Sequence, residues 1–338
     1  MVEPARLTCQ NAAIMKVLVT GGCGYIGSAT ARYLRSQGVD VQVIDDLSEG
    51  HRQAWDGPLE VLDLLDRDAL HSYLKGKTFD GVIHFAARCY VGESVEQPVR
   101  YWRANVVPVI HLCEALEGVP FVISSTCATY GEPQTEYLSE SHSQNPVNPY
   151  GATKFADEML LKARSEAGQG KCALLRYFNA AGASECGNFG EAHDPETHLI
   201  PLAVESALGS GRTLTVFGTD WPTPDGTCIR DYIHIDDLAQ AHFQALQWMA
   251  AGKDSGAWNL GTGNGFSVRE IMDAVEKATG KPVPHDLGPR RAGDPARLIA
   301  DSRKAREELG WQPKYENAQA VVDTAVRWHL AHPDGYQS

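Results

Sequence analysis

Lys16-Val17-Leu18-Val19-Thr20, followed directly by Gly21-Gly22-Cys23-Gly24-Tyr25-Ile26-Gly27, decides how this chain folds. The first five residues read as a strand, and Ser28 to Gln37 reads as a helix that Gly38 stops. Between them, glycines at 21, 24 and 27 permit a tight turn and let the backbone approach a pyrophosphate closely. The helix start then supplies N–H donors and the positive end of a dipole. Val41-Gln42-Val43-Ile44-Asp45 reads as the next strand, so strand, loop, helix and strand are all in place. A carboxylate at Asp45 can accept bonds from both adenosine ribose hydroxyls and repels a 2′-phosphate, which favours NAD over NADP. Asp63, after Leu59-Glu60-Val61-Leu62, reads equally as an adenine-side contact or a solvated loop carboxylate.

The alternation continues outward. Asp80 to Phe85, Pro120 to Ser125 and Cys172 to Tyr177 read as strands, and Val99 to Leu116 and Tyr150 to Ala167 as helices. Strands alternating with helices imply right-handed crossovers and a parallel sheet. Pro108, inside one of these helices, predicts a kink. From about residue 180 the pattern changes to a Gly-rich, polar loop and then shorter elements, with turns at Trp221 to Gly226 and Pro289 to Pro295. The expected class is α/β: a Rossmann-type, doubly wound parallel sheet with a smaller α/β C-terminal substrate domain. Residues 15–179 are expected to bind NAD. Residues 180–338 are expected to close over the carboxyl edge of the sheet, with part of 228–262 crossing back.

Composition excludes several function classes. Hydrophobic content of 43% and charged content of 22% are ordinary for a globular protein. A net charge of −13 argues against electrostatic binding to nucleic acid or anionic membrane. No apolar run approaches the roughly 20 residues of a membrane span. Met1 to Ile14 lacks the apolar stretch of a secretory signal, and Met15 is an alternative start. The eight cysteines are scattered without a Cys-x-x-Cys pair, as expected of reduced, mostly buried thiols in a cytoplasm. The twelve histidines show no metal-ligand spacing, so no metal is expected.

Chemistry concentrates at two places. Tyr150 and Lys154 stand four residues apart, behind Asn148 as N-cap and Pro149 at the first helical position. A phenol titrates near ~10; a cation one turn away and the helix dipole are expected to lower that value. Such a tyrosine can take a proton from a sugar hydroxyl. The strand Phe121-Val122-Ile123-Ser124-Ser125 runs into Thr126, whose hydroxyl can share that sugar oxygen.

The glycine loop, the strand-end threonine and Tyr-x-x-x-Lys together resemble the extended short-chain dehydrogenase/reductase superfamily, and within it the UDP-glucose 4-epimerase family. The resemblance extends from Lys16 onward. It includes His84-Phe85-Ala86-Ala87, Val91-Gly92-Glu93-Ser94, Leu175 to Asn179, Asp225 to His234, Asn259 to Gly263 and Arg290 to Asp294. It implies an NAD that is used and regenerated within each turnover. Tyr150 takes the 4-hydroxyl proton as C4 gives up hydride; the 4-keto sugar swings about its pyrophosphate link and is reduced from its other face. Lys154 bonds the nicotinamide ribose, and Thr126 bonds O4. By the same resemblance Gly21, Gly24, Tyr25, Ile26, Gly27, Asp45, Asp46, Asp63, Leu64, Phe85, Ala86, Ala87, Asn105, Ser124 and Phe178 hold the cofactor. Asn179, Leu199, Val216, Phe217, Arg230, Arg291 and Asp294 line a UDP pocket. A homodimer through the helices near 100–116 and 150–166 is implied as well.

Two positions depart from the family's commonest pattern. Cys89 stands where a cofactor-binding lysine is often found, and Leu298 stands at a pocket wall where a small residue admits N-acetyl sugars. The bulk of Leu298 favours non-acetylated sugars. Thr126 to Pro133 also looks like epimerases of UDP-xylose and UDP-arabinose, so a pentose or dual activity stays open; a missing CH₂OH is worth only about 1–3 kcal/mol. Dehydratase or decarboxylase chemistry needs an acid and base beside Thr126, which Cys127 and Ala128 do not supply. A cofactor-binding protein without chemistry is the non-enzyme alternative.

Overall fold

A computed structural model describes residues 14–210, 213–291 and 293–336. Met1 and Cys9 lie outside the described residues. The chain runs through β1 (Lys16–Thr20), α1 (Tyr25–Ser36), β2 (Asp40–Asp45), β3 (Leu59–Val61), α2 (Arg67–Leu74) and β4 (Gly81–His84). Next come α3 (Val91–Glu96), α4 (Pro98–Ala115), β5 (Phe121–Thr126), β6 (Tyr137–Leu138), α5 (Pro149–Glu166), β7 (Cys172–Tyr177) and β8 (Asn179–Ala181). The second half adds α6 (Leu199–Leu208), β9 (Leu214–Phe217), β10 (Ile229–His234), α7 (Ile235–Ala250) and β11 (Gly256–Leu260). It ends with β12 (Gly265–Ser267), α8 (Val268–Thr279), β13 (His285–Gly288), β14 (Arg297–Ala300), α9 (Arg303–Glu308) and α10 (Ala318–Ala331).

Seven strands form one parallel sheet in the order β11-β7-β5-β4-β1-β2-β3. Alternation of side chains explains why both faces are apolar. Val17 and Val19 of β1, with Val41, Val43, Ile83, Val122 and Leu175, meet Leu34 of α1 and Leu238, Ala241 and Ala245 of α7. Leu18 points the other way and joins Ile44, Val82, Ile123 and Leu174 against Leu70 of α2, Leu112 of α4 and Leu161 of α5. Each fully buried aliphatic side chain contributes roughly 1.5–3 kcal/mol, so the doubly wound arrangement follows from strands that place apolar side chains on both faces. Helix α4 continues through Pro108, which is buried within it.

A second core joins α6, α8 and α10 to β9 and β10. Strand β10 runs parallel to β8 and β14 and antiparallel to β12. Residues 179–181 form β8, although the sequence reads as loop from Ala180; a three-residue strand is too short to show a period. After β10 the chain returns to the first sheet: α7 packs on α1, and β11 pairs with β7.

Candidate active site

Strands β1, β2, β4 and β5 finish on one edge with Thr20, Asp45, His84 and Thr126, and the strand order reverses between β1 and β4, the position at which such sheets bind ligands. Gly21 leaves β1 at φ 71°, and a Cβ there would lie 2.5 Å from the Ala86 nitrogen. A Cβ on Gly27 would meet the Gly21 carbonyl oxygen at 2.0 Å. Only glycine fits, and the loop lies close enough to α1 for first-turn N–H groups to face an anion. Asp45 is tied to this loop: the N–H groups of Cys23 and Leu47 each donate to its carboxylate at 2.9 Å. Burial raises its pKa, and those two bonds oppose the rise.

Other expected cofactor residues are placed variously. Ala86 donates its N–H to the Thr20 carbonyl at 3.2 Å, beside Gly21, with Ala87 next in the chain. The Phe85 ring packs on His242, centroids 4.6 Å apart. Asp46 accepts from the N–H and hydroxyl of Ser48, and exposed Asp63 accepts from the Leu65 N–H. Tyr25 donates its hydroxyl to the Gly182 carbonyl at 2.5 Å, joining the loop to the second half of the chain; Ile26 packs against the core below. Three side chains expected on the cofactor are spent inside the protein. Leu64 is in the core, Phe178 packs among Cys127, Tyr130 and Leu138, and Asn105 donates to the Arg88 carbonyl and to Thr153 while accepting from Arg88. Residue type alone does not distinguish an amide that clamps two helices from one that meets a ligand.

At the reacting edge, Asn148 caps α5 by accepting from the Gly151 N–H at 2.8 Å, with Pro149 at the first position. This presents Tyr150 to the end of β5, on the side of the Thr126 hydroxyl, which favours the ionised phenol. Ser124 bonds the Tyr177 hydroxyl alongside. The expected acidification of Tyr150 is overturned in the protein itself. Burial pushes the phenol well above its ordinary value, and the charges of Cys89 and Tyr177 add to the rise, against the Thr126 hydroxyl. The one-turn spacing indicates a neighbouring cation but not the cost of burying the phenolate, and here that cost wins. Lys154 is itself 2% exposed, and among the described residues its Nζ has no hydrogen-bond partner. Burial lowers its pKa against the charge of Asp157; burial in turn raises Asp157 to about 7.

The residues expected to hold UDP divide into two groups. Arg230, Arg291, Phe217 and Asp294 converge: the Arg291 guanidinium lies 4.7 Å over the Phe217 ring, and Asp294 lies 3.2 Å from Arg291 and 3.7 Å from Arg230. Leu298 stands opposite Arg230 in the β10–β14 register and packs on the Cys127 cluster. Val216 instead faces the second core, with Leu199 packed against it, and Asn179 donates to the Asp231 carbonyl at 3.0 Å.

Three features escape the sequence. Buried Asp231 accepts from Thr262, Gly263 and Ala300 and so fixes the return into the second half. Buried Arg176 forks onto Glu158 behind Thr126 and Tyr150. The reading that the histidines carry no metal-ligand arrangement does not hold in space, because Glu191, His193, Glu196 and His198 converge. Of the seven described cysteines, all unpaired, Cys23, Cys127 and Cys172 are buried, while Cys89 and Cys186 are exposed.

The glycine cradle, the Asp45 carboxylate and the orphaned Lys154 ammonium fit a dinucleotide. A phenol meeting a threonine hydroxyl at the edge of such a sheet places the protein among the short-chain dehydrogenase/reductases. Residues 17–261 match the NAD dependent epimerase/dehydratase family. The UDP-glucose 4-epimerase of Halalkalibacterium halodurans is 46% identical over 96% of this chain and 98% of its own. A crystal structure of a UDP-glucose 4-epimerase superposes with a TM-score of 0.92 at 44% identity, over 96% of this chain and all of that one. Another, from Brucella ovis in complex with NAD, gives 0.89 at 45% identity, over 92% and 97%. The chain belongs to the NAD-dependent epimerase/dehydratase family, in its extended short-chain form; it is an enzyme, and its cofactor is NAD.

Proposed function

We propose that the protein interconverts UDP-glucose and UDP-galactose by inverting C4 of the hexose. The observation that carries this reading is the meeting of Tyr150, at the start of α5, with Thr126, at the carboxyl end of β5, in a chain similar to UDP-glucose 4-epimerases over nearly its whole length. NAD, when bound, would supply in its oxidised form both the acceptor for the C4 hydride and a positive charge that favours the phenolate. Tyr150 takes the 4-hydroxyl proton and later returns it, with the Thr126 hydroxyl holding the oxygen in place. Burial holds the phenol neutral in the protein alone, so it becomes a base only with the added positive charges of bound cofactor and Lys154. Lys154, whose Nζ has no hydrogen-bond partner among the described residues, is available to a ribose hydroxyl.

Arg230, Arg291, Phe217 and Asp294 are assigned to UDP: arginine forks suit phosphate, and a carboxylate suits ribose. A firm hold on the nucleotide leaves the sugar free to turn. Leu298, packed on the wall beside Cys127, favours sugars without an N-acetyl group. Two broader assignments follow. The unpaired cysteines support a reducing cytoplasm. Val99, Trp102 and Ile110 on α4 and Met159 on α5 are exposed apolar side chains on neighbouring helices, which supports a homodimer through that face.

The test is incubation of purified protein with UDP-galactose and no added NAD, with products separated by chromatography. UDP-glucose is expected to accumulate to equilibrium. No conversion of UDP-galactose, alongside conversion of UDP-arabinose to UDP-xylose, would move the assignment to pentoses; no conversion of either would leave a binding protein.

A further inference from the structure

Glu191, His193, Glu196 and His198 lie on the segment between β8 and α6. Their donor atoms turn inward. Glu191 Oε1 lies 3.1 Å from His193 Nδ1 and 2.8 Å from His198 Nδ1. Glu196 Oε2 lies 3.6 Å from His193 Nδ1, and its Oε1 lies 3.1 Å from His198 Nδ1. One donor atom from each residue falls within 4.8 Å of all the others. A tetrahedron with metal–ligand bonds of ~2.0–2.1 Å has edges of ~3.3 Å; the Glu191 distances lie near that length, and the wider spacings of the set, up to 4.8 Å, shorten when an ion binds.

The two glutamate side chains are only 5% and 3% exposed. Two neighbouring buried carboxylates require two compensating positive charges, which one divalent ion provides while leaving both imidazoles neutral. The donor set also selects among ions. Imidazole with carboxylate suits zinc, whereas calcium and magnesium take six or more oxygens. We propose that Glu191, His193, Glu196 and His198 form a closed, four-ligand site for zinc or a similar divalent transition metal.

The surroundings resemble those of a structural site. The N–H groups of Thr197 and His198 donate to Glu196 Oε1 at 2.7 and 2.8 Å, fixing that carboxylate. The His193 ring meets Tyr25 and Tyr90 edge-on, with centroids 6.1 and 6.0 Å away. Backbone carbonyls flanking the cluster are held as well, Glu191 by the Trp328 indole and Ala192 by His51. With four protein ligands there is no open position for substrate, so the ion is a staple. It ties the segment to itself and so fixes the His193 ring against Tyr25, in the first turn of α1 beside the dinucleotide loop.

Full-length protein, dialysed against metal-free buffer, is titrated with zinc chloride in competition with a chromophoric chelator, and metal content is read by mass spectrometry. About one zinc ion per chain is expected, with cobalt giving the visible spectrum of a tetrahedral complex. The double variant His193→Asn, His198→Asn and the milder Glu196→Gln are each expected to weaken zinc binding by at least roughly tenfold. Wild-type protein that takes up no zinc overturns the proposal, and means that protonated imidazoles balance the glutamates. Unchanged affinity in folded Glu196→Gln overturns it too, placing the metal elsewhere.

Discussion

Replacing Glu158 by glutamine should be among the most damaging isosteric changes in the molecule. Glu158 is fully buried on α5, eight residues after Tyr150, and Arg176 on β7 is 2% exposed. The guanidinium forks onto the carboxylate through Nε at 2.8 Å and a terminal nitrogen at 2.6 Å. Its remaining donors reach the Tyr130 hydroxyl at 3.0 Å and the Gln144 amide oxygen at 2.9 Å. Glu158 also accepts from Ser125 at 2.5 Å and from Gln144 at 3.0 Å. Burial alone would raise this carboxyl, but the Arg176 bonds and charge, with Ser125 and Gln144, hold it below the usual range. Removing one charge strands the other in a sealed interior, at a cost of about 3–5 kcal/mol. Glutamine keeps part of the hydrogen bonding, so ~3 kcal/mol is expected. Arg176→Met should cost less than that, because Lys162 stays 3.5 Å from Glu158, and the double variant less than the sum by roughly 2 kcal/mol, because the guanidinium is then not left alone. Urea unfolding of the four proteins measures all three quantities. A loss under ~1 kcal/mol for Glu158→Gln, or strict additivity, would refute the claim that this pair is a buried clamp.

Gly27→Ala should reduce bound NAD by at least roughly tenfold, ~1.4 kcal/mol. The new Cβ lies 2.0 Å from the Gly21 oxygen where ordinary contact begins at 3.4 Å, so nucleotide released from denatured protein reports the effect; wild-type content would contradict it. Tyr150→Phe is expected to lower kcat by roughly 10²–10⁴ while retaining NAD, and unchanged turnover would remove the phenol from the mechanism. His242, fully buried between Phe85 and Tyr177, has its pKa lowered to about 4 by burial. The unfolded chain, titrating near ~6.5, therefore takes up this proton first. The contribution is whole above that value and lost as pH falls towards about 4. Between pH ~7 and ~5 wild type should lose about 2 kcal/mol more than His242→Phe; parallel stability curves would show that His242 protonates freely in the fold.

What the sequence made legible was whatever is local. The β1 run, the spacing of glycines 21, 24 and 27, and the Asn148-Pro149 start of α5 each act within a few residues, and each takes the expected form. Tyr150 illustrates the limit: its neighbours at one turn are visible in the chain, but the burial that governs its proton is set by β5, β7 and the segment around Cys89. The contacts of Asn105 and Phe178 are hidden for a related reason, since their partners, Thr153 and the Cys127 cluster, come from other elements. Glu191 and His198 converge only because a turn folds the segment back, a geometry that no simple spacing announces. The second sheet escaped because its strands are two to six residues long, too short to show alternation.

The return of α7 and β11 to the first sheet sets the order in which this protein can be assembled. A nascent chain that has emerged only through residue 179 holds six of the seven strands yet lacks α7, leaving Leu34 of α1, and Val17 and Val19 beneath it, without the cover they have in the finished molecule. The nucleotide-binding half is thus completed late, after about residue 260, and a ribosome-released fragment ending at 179 should sediment as aggregate, whereas one carrying its own cover would stay dispersed.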